Sequence, residues 1–143
     1  MANFTRLKAL EVTADNVVEY EMPELGPKAV LLLRSASEGN SGYMNDLLRL
    51  TGQSKGGRRK KVVVDAKAMG DMREYDKELY PKHVIVGWKE VLDDKKKAVA
   101  FSIAEASDLV TQLPDYLFDE MRGYANDPLN FLAVIDSEEK GKN

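Results

Sequence analysis

Four groups of residues could do chemistry. His83 is the single histidine, and the chain has no cysteine. That excludes a disulfide framework, every thiolate-based zinc or iron–sulfur site and any His-pair metal motif. Carboxylates gather in two stretches, Asp71, Glu74, Asp76 and Glu78 in one, Asp115, Asp119 and Glu120 in the other. They alternate with lysine and arginine, the pattern of solvated helix faces rather than of an acid–base pair. Five cations, Lys55, Arg58, Arg59, Lys60 and Lys61, surround two glycines in "QSKGGRRKK" (53–61). This segment reads either as a binder of phosphates or of an acidic partner, or as a solvated, flexible surface loop. No aromatic interleaves it and no GxxxxGK[ST] is present, which favours the loop. No Ser-His-Asp order, nucleophile elbow or glycine-rich phosphate loop stands out, so no catalytic residue, cofactor or metal is expected.

The totals point the same way. The chain has 143 residues, 43% hydrophobic and 31% charged, with a formal net charge of -3 and a pI near 5.3. That suits one domain with a modest core under a charged surface. An acidic balance argues against nucleic-acid binding. The first residues lack the apolar stretch of a signal peptide, and the longest apolar run is "AVLLL". A soluble, cytoplasmic protein is expected.

Positioning these groups requires an α+β domain, mainly α, with short strands in residues 3–34 and four to five helices from residue 42 onward. Val and Tyr clusters in "LKALEVTADNVVEYEMPEL", broken by the turn signal Asp15-Asn16, read as strands, and "AVLLLR" (29–34) as a buried strand. Pro23, Gly26 and Pro27 mark the turn before it. "SASEGNSG" is a polar loop. "YMNDLLRLTG" is a short helix with Met44, Leu47 and Leu48 on one face, stopped by Gly52. Val64, Ala68, Met72, Tyr75 and Leu79 make a helical stripe that Pro81 ends or kinks. "HVIVGWKEVL" continues the apolar periodicity as a short helix or strand. Its Trp88, the only tryptophan, is expected in the core beside the helix that follows. It can bury on the order of 200 Å² there. "DDKKK" (93–97) is a solvated turn.

Ser102 and Glu105 are spaced as a capping box. The helix they open carries Ile103, Ala106, Leu109, Val110 and Leu113, and Pro114 closes it. A further helix, "PDYLFDEMRGYAND", turns Tyr116 or Leu117, Met121 and Tyr124 inward. Asp127 and Pro128 start a last one. Residues 1–135 then form the single domain and 136–143 a disordered tail.

From 84 to 131 the order of elements resembles the tail assembly chaperones of long-tailed bacteriophages. The residues that carry this are "GWKEVLD", a charged turn, "VAFS" opening a helix, "LPDYL" and "YANDPLNF". Upstream, "VLLLRSASEGNSGYMNDLLR" is similar to the family's strand, small-polar loop and "Y-x-N". The chain departs from the pattern in its turn, where the family carries a glycine and this sequence has "DDKKK".

The resemblance implies a non-enzymatic protein of the host cytoplasm, absent from the finished virion. It would coat the helical, apolar tape measure protein, keep it soluble and help recruit tail tube subunits. An apolar groove is expected at the hinge between the helices 102–113 and 114–126, with Leu109, Leu113, Pro114, Leu117, Met121 and Tyr124 facing the partner. Coating a filament implies weak self-association. The Gly141-Lys142 pair can be encoded by a slippery GGG AAA run, so either a frameshifted longer product or an ordinary solvated end follows from the tail. The alternatives are a nucleic-acid-binding or regulatory module acting through residues 55–61, and another phage morphogenesis adaptor such as a head–tail connector.

Overall fold

The computed structural model describes residues 2–52, 66–132, 134 and 135. Val64, the basic segment 55–61 and the tail 136–143 lie outside the described residues. The fold is α+β, mainly α: a three-stranded antiparallel sheet packed with helices.

Strands β1 (Val17–Glu21), β2 (Val30–Arg34) and β3 (Ile85–Lys89) lie in the order β1-β2-β3. The central strand is the apolar run "VLLLR", whose Leu31 and Leu33 are fully buried. Val18 pairs with Leu33 and Tyr20 with Leu31. Directly opposed residues share a face, so these four side chains line one side of the sheet. On the other edge Leu33 pairs with Ile85 and Leu31 with Trp88, with a register shift between Leu32 and Leu33. The extra residue on β3 is what lets both Ile85 and Trp88 point to the face that Leu31 and Leu33 occupy.

Among the described residues the longer helices are α1 (Ser41–Thr51), α2 (Ala66–His83), α3 (Ile103–Gln112) and α4 (Asp115–Asn126). Most begin and end as local chemistry dictates. Ser102 Oγ accepts the Glu105 N–H at 3.0 Å to open α3. Gly52 takes a left-handed φ of 72° to close α1. Asp127 accepts the Leu129 N–H at 3.0 Å and Pro128 follows, opening a single 3-10 turn, Pro128–Phe131. Pro81 sits in the last turn of α2, which runs on only to His83.

One cap was not legible beforehand. Asn40 Oδ1 accepts the Tyr43 N–H at 3.3 Å, and its Nδ2 donates to the His83 carbonyl at 2.8 Å. A single buried amide thereby caps the start of α1 and the end of α2 together. His83 Nε2 adds a 2.7 Å contact to Asp46 on α1.

Two elements differ from the sequence expectation. Thr5–Leu10, placed in the strand-forming part, is a 3-10 helix with no buried residue. The stretch after α2, whose own periodicity fits a short helix or a strand but which lies in the part expected to be helical from residue 42 onward, is β3. Five residues of alternating burial satisfy either period, and pairing with β2 decides between them.

The core runs between the sheet and the helices. Tyr43 of α1, Tyr80 of α2 and Phe118 of α4 form an edge-to-face chain, with centroids 6.0 and 5.4 Å apart. Tyr20 meets Tyr124 at 5.0 Å, joining β1 to α4. The expected stripe on α2 is rotated: Ala68, Met72 and Tyr75 are half-buried, while Asp76, Leu79 and Tyr80 face inward.

Candidate functional site

Asp76, Asp115 and Asp119 hold α2 and α4 together, while Asp71, Glu78 and Glu120 are exposed. Asp76 is 3% exposed and accepts from Tyr43 Oη and from Arg122 Nε, both at 2.7 Å. Arg122 also donates to Asp119 at 2.9 Å, and Arg73 meets Asp119 through two nitrogens at 3.0 and 2.8 Å. Lys77 reaches Glu74 and Asp115. Arg73 beside Asp119 holds that carboxyl below the usual carboxylate range, with Arg122 assisting. Burial, then the charge of Asp76, pushes the Tyr43 phenol above its ordinary value. Both oxygens of Asp76 accept from a donor, so the network locks α1, α2 and α4 together. The His83 contact lowers the Asp46 carboxyl in the same manner. Among the described residues, no group of three or more His, Cys, Asp or Glu is placed to hold a metal ion.

The groove expected between α3 and α4 does not exist as an open surface. Leu113 and Leu117 are each 9% exposed and Met121 is fully buried. All three belong to the core, because the apolar faces of both helices turn onto the body of the domain. Tyr124 is half-buried against Tyr20, and Pro114 is exposed at the N-cap of α4. Tyr116 is 71% exposed, which leaves Leu117 as the inward residue of that pair. Of the six, Leu109 lines an accessible cleft, on the flank of α3 that carries Glu105, Asp108 and Gln112.

This groove is built by the turn after β3. Val99 donates to the Val91 carbonyl at 2.9 Å, and Leu92 bridges Ala98. Asp93 Oδ1 accepts from the amides of Lys95 and Lys97 at 2.8 and 2.9 Å. Lys96 takes the left-handed φ of 60° that closes the loop. The indole N–H of Trp88 donates to the Val99 carbonyl at 2.7 Å, and its ring meets Phe101 edge-on at 5.1 Å. The strand end, the hairpin 91–99 and the start of α3 are thereby fixed around one side chain.

Between hairpin and α3 lies a cleft of about 410 Å³. Trp88, Leu25, Val91, Leu92, Val99 and Leu109 make it apolar. Asp93 and Asp94 stand on the hairpin side and Glu105 and Asp108 on the α3 side, with Lys95 and Gln112 completing the rim. Trp88 is half-buried rather than enclosed, because its free edge faces this cleft. An apolar floor between two acidic walls suits a segment of protein with apolar residues and flanking cations. The sequence contained the signal, Trp88 followed by charge, but not the fold of the hairpin over it.

No helix among the described residues is long and apolar enough to cross a membrane. No protein-family model, curated protein or solved structure matches the chain.

Proposed function

We propose that this protein is a tail assembly chaperone of a long-tailed bacteriophage, which binds the tape measure protein in the host cytoplasm and helps recruit tail tube subunits. The family likeness of residues 84–131 supports it. The observation that carries the reading is the Trp88–Leu109 cleft, apolar inside and acidic at both walls. A tape measure protein exposes helical apolar stripes that aggregate unless covered. A half-buried tryptophan with Leu25, Leu92 and Leu109 around it gives such a stripe a place to rest, and the carboxylates keep the complex soluble. The partner face moves from the α3–α4 hinge to the α3–hairpin cleft. It acts by binding alone.

Co-expression with the tape measure protein of the same phage tests this. The expected result is a soluble complex from which the chaperone is missing once virions are purified. Trp88, the only tryptophan of the chaperone, reports occupancy of the cleft. Replacing any tryptophan of the partner by phenylalanine leaves its emission as the readout, and that emission shifts to the blue on binding. Leu109→Lys abolishes both the shift and the solubilisation. A tape measure protein that stays insoluble, or an emission spectrum that never moves, overturns the reading.

A further inference from the structure

Two surfaces of this chain are apolar, oppositely charged and uncovered among the described residues. One is the cleft just described. The other is the segment Asn3–Glu11, whose 3-10 helix Thr5–Leu10 buries nothing. Phe4, Leu7 and Leu10 are 59%, 51% and 52% exposed. A 3-10 helix has three residues per turn, so side chains three apart eclipse one another. These three therefore form one continuous apolar edge. Arg6 flanks it on one side and Lys8 on the other, and the Arg6 guanidinium lies over the Phe4 ring at 5.8 Å. The concavity along this arm is lined by its own residues alone, from Ala2 to Glu11.

The two surfaces match in three respects. Each is apolar along its centre. The arm carries Arg6 and Lys8 on its two flanks against one carboxylate, Glu11 at its end, and the cleft carries Asp93 and Asp94 on one wall and Glu105 and Asp108 on the other against one cation, Lys95. Their lengths agree: six 3-10 residues span about 12 Å, and Glu105 to Gln112 of α3 spans about 10 Å. In the structure the arm's apolar edge joins no part of its own core, while Val12, directly after it, does.

We propose that the arm Asn3–Glu11 of one copy docks into the Trp88–Leu109 cleft of a second copy. Phe4, Leu7 and Leu10 face Trp88 and Leu109, and Arg6 and Lys8 pair with the carboxylates of opposite walls. A reciprocal exchange gives a closed dimer, and a serial exchange gives an open chain. The inference does not depend on which protein partner the cleft serves. If copies fail to associate, the tape measure reading still stands on its own test.

Sedimentation across a concentration series, at low and high salt, tests it. The wild type is expected to associate, and high salt to weaken that association because exposed ion pairs are screened. Leu7→Asp, on an exposed edge that supports no core, is expected to weaken it at least tenfold while circular dichroism stays unchanged. Arg6→Glu with Lys8→Glu should abolish it, as should Glu105→Lys with Asp108→Lys. Mixing these two variants restores association, because the acidic arm of one then meets the basic cleft of the other. Since the wild type has no cysteine, protein carrying Leu7→Cys and protein carrying Gln112→Cys should join as a mixed disulfide. A monomer at every concentration overturns the proposal. So does an oligomer indifferent to Leu7→Asp, or a mixture that stays apart.

Discussion

Trp88 donates its indole N–H to the carbonyl of Val99 at 2.7 Å, across eleven residues of chain. This bond ties β3 to the far arm of the hairpin and fixes the wall of the cleft. Trp88→Phe keeps a ring against Phe101 but leaves the Val99 carbonyl without its donor. It should lose about 1–2 kcal/mol. Trp88→Ala should lose about 2–3 kcal/mol, at or below the low end for a large core residue because one edge already faces solvent. Urea denaturation followed by circular dichroism measures both. Equal losses for the two variants would show that the hydrogen bond, not the ring, fixes the hairpin.

Lys96 holds the left-handed conformation, φ 60°, at the tip of the same hairpin. An L-residue is strained there by roughly 1–2 kcal/mol. The turn carries no glycine, and Lys96 takes the backbone conformation that a glycine adopts freely. Lys96→Gly should therefore stabilise the protein by about 0.5–1 kcal/mol, the strain relieved less the greater freedom glycine has when unfolded. Lys96→Val should destabilise it, since a β-branched residue fits this region worst. Thermal unfolding reads both. A lower melting temperature for Lys96→Gly would refute the assignment of strain.

What could be read from the sequence was local. The Ser102 cap, the Gly52 stop and the Asp127-Pro128 entry depend on contacts within four residues, and all three stand in the structure. What could not be read depends on distant partners. Asp76 looked like one more solvated carboxylate, and its burial is licensed by Tyr43 and Arg122, 33 and 46 residues away. The periodicity of α3 and α4 located much of their apolar faces but not what covers them, and it placed Ile103 inward, which is 56% exposed, while passing over the fully buried Phe118. Leu113, Leu117 and Met121 were therefore assigned to a partner when the domain itself buries them. The cleft arises only once the hairpin folds beside α3, a relation no spacing encodes. The arm's edge at 4, 7 and 10 has a period of three, which lies between the helical and strand templates.

Asp76 is nearly buried and serves two donors on two different helices. Asp76→Ala takes the buried carboxylate from Arg122 Nε, which leaves the guanidinium only its more exposed Asp119 contact, and leaves the Tyr43 hydroxyl without an acceptor. The loss should be about 3–5 kcal/mol, as for breaking a buried ion pair from one side. Asp76→Asn keeps the acceptor oxygen and should lose less. Equilibrium denaturation orders the two variants. Losses under 1 kcal/mol for Asp76→Ala would mean that the network is solvated.

Asp119 should give the protein an acid limb. Hydrogen bonds from Arg73, and then Arg122, hold its folded pKa below the unfolded value of about 3.9. A depressed folded pKa adds stability above the unfolded value, and that stability disappears as pH falls through the folded one. The urea midpoint should accordingly hold steady from pH 7 to about 5 and fall below about 4. Asp119→Asn should lower the midpoint at pH 7 and make the decline below pH 4 shallower. An unchanged acid limb in Asp119→Asn would assign the pH dependence elsewhere.

Gly39 controls where the arm leaves the domain. A Cβ placed on it would stand 1.9 Å from the Val12 carbonyl oxygen and 3.0 Å from its carbon. The obstacle is backbone, so no side-chain rotation relieves it. Just beyond, Thr13 is held by its own turn: Asn16 Oδ1 accepts the Thr13 N–H at 2.8 Å, and the Asn16 N–H donates to the Thr13 carbonyl at 3.2 Å. Gly39→Ala must displace the Val12–Thr13 strand of chain or shift the loop before α1. Either should destabilise the protein by about 1–3 kcal/mol, as overpacking does. The damage should be regional. Hydrogen exchange is expected to speed up at Thr13 and Asn16 while the amides of α4 keep their protection. The arm's departure angle changes with Val12, so association between copies weakens even though Phe4, Leu7 and Leu10 are intact. A Gly39→Ala protein as stable as wild type, with Thr13 and Asn16 exchanging at the wild-type rate, would show that the contact at Val12 does not anchor the arm.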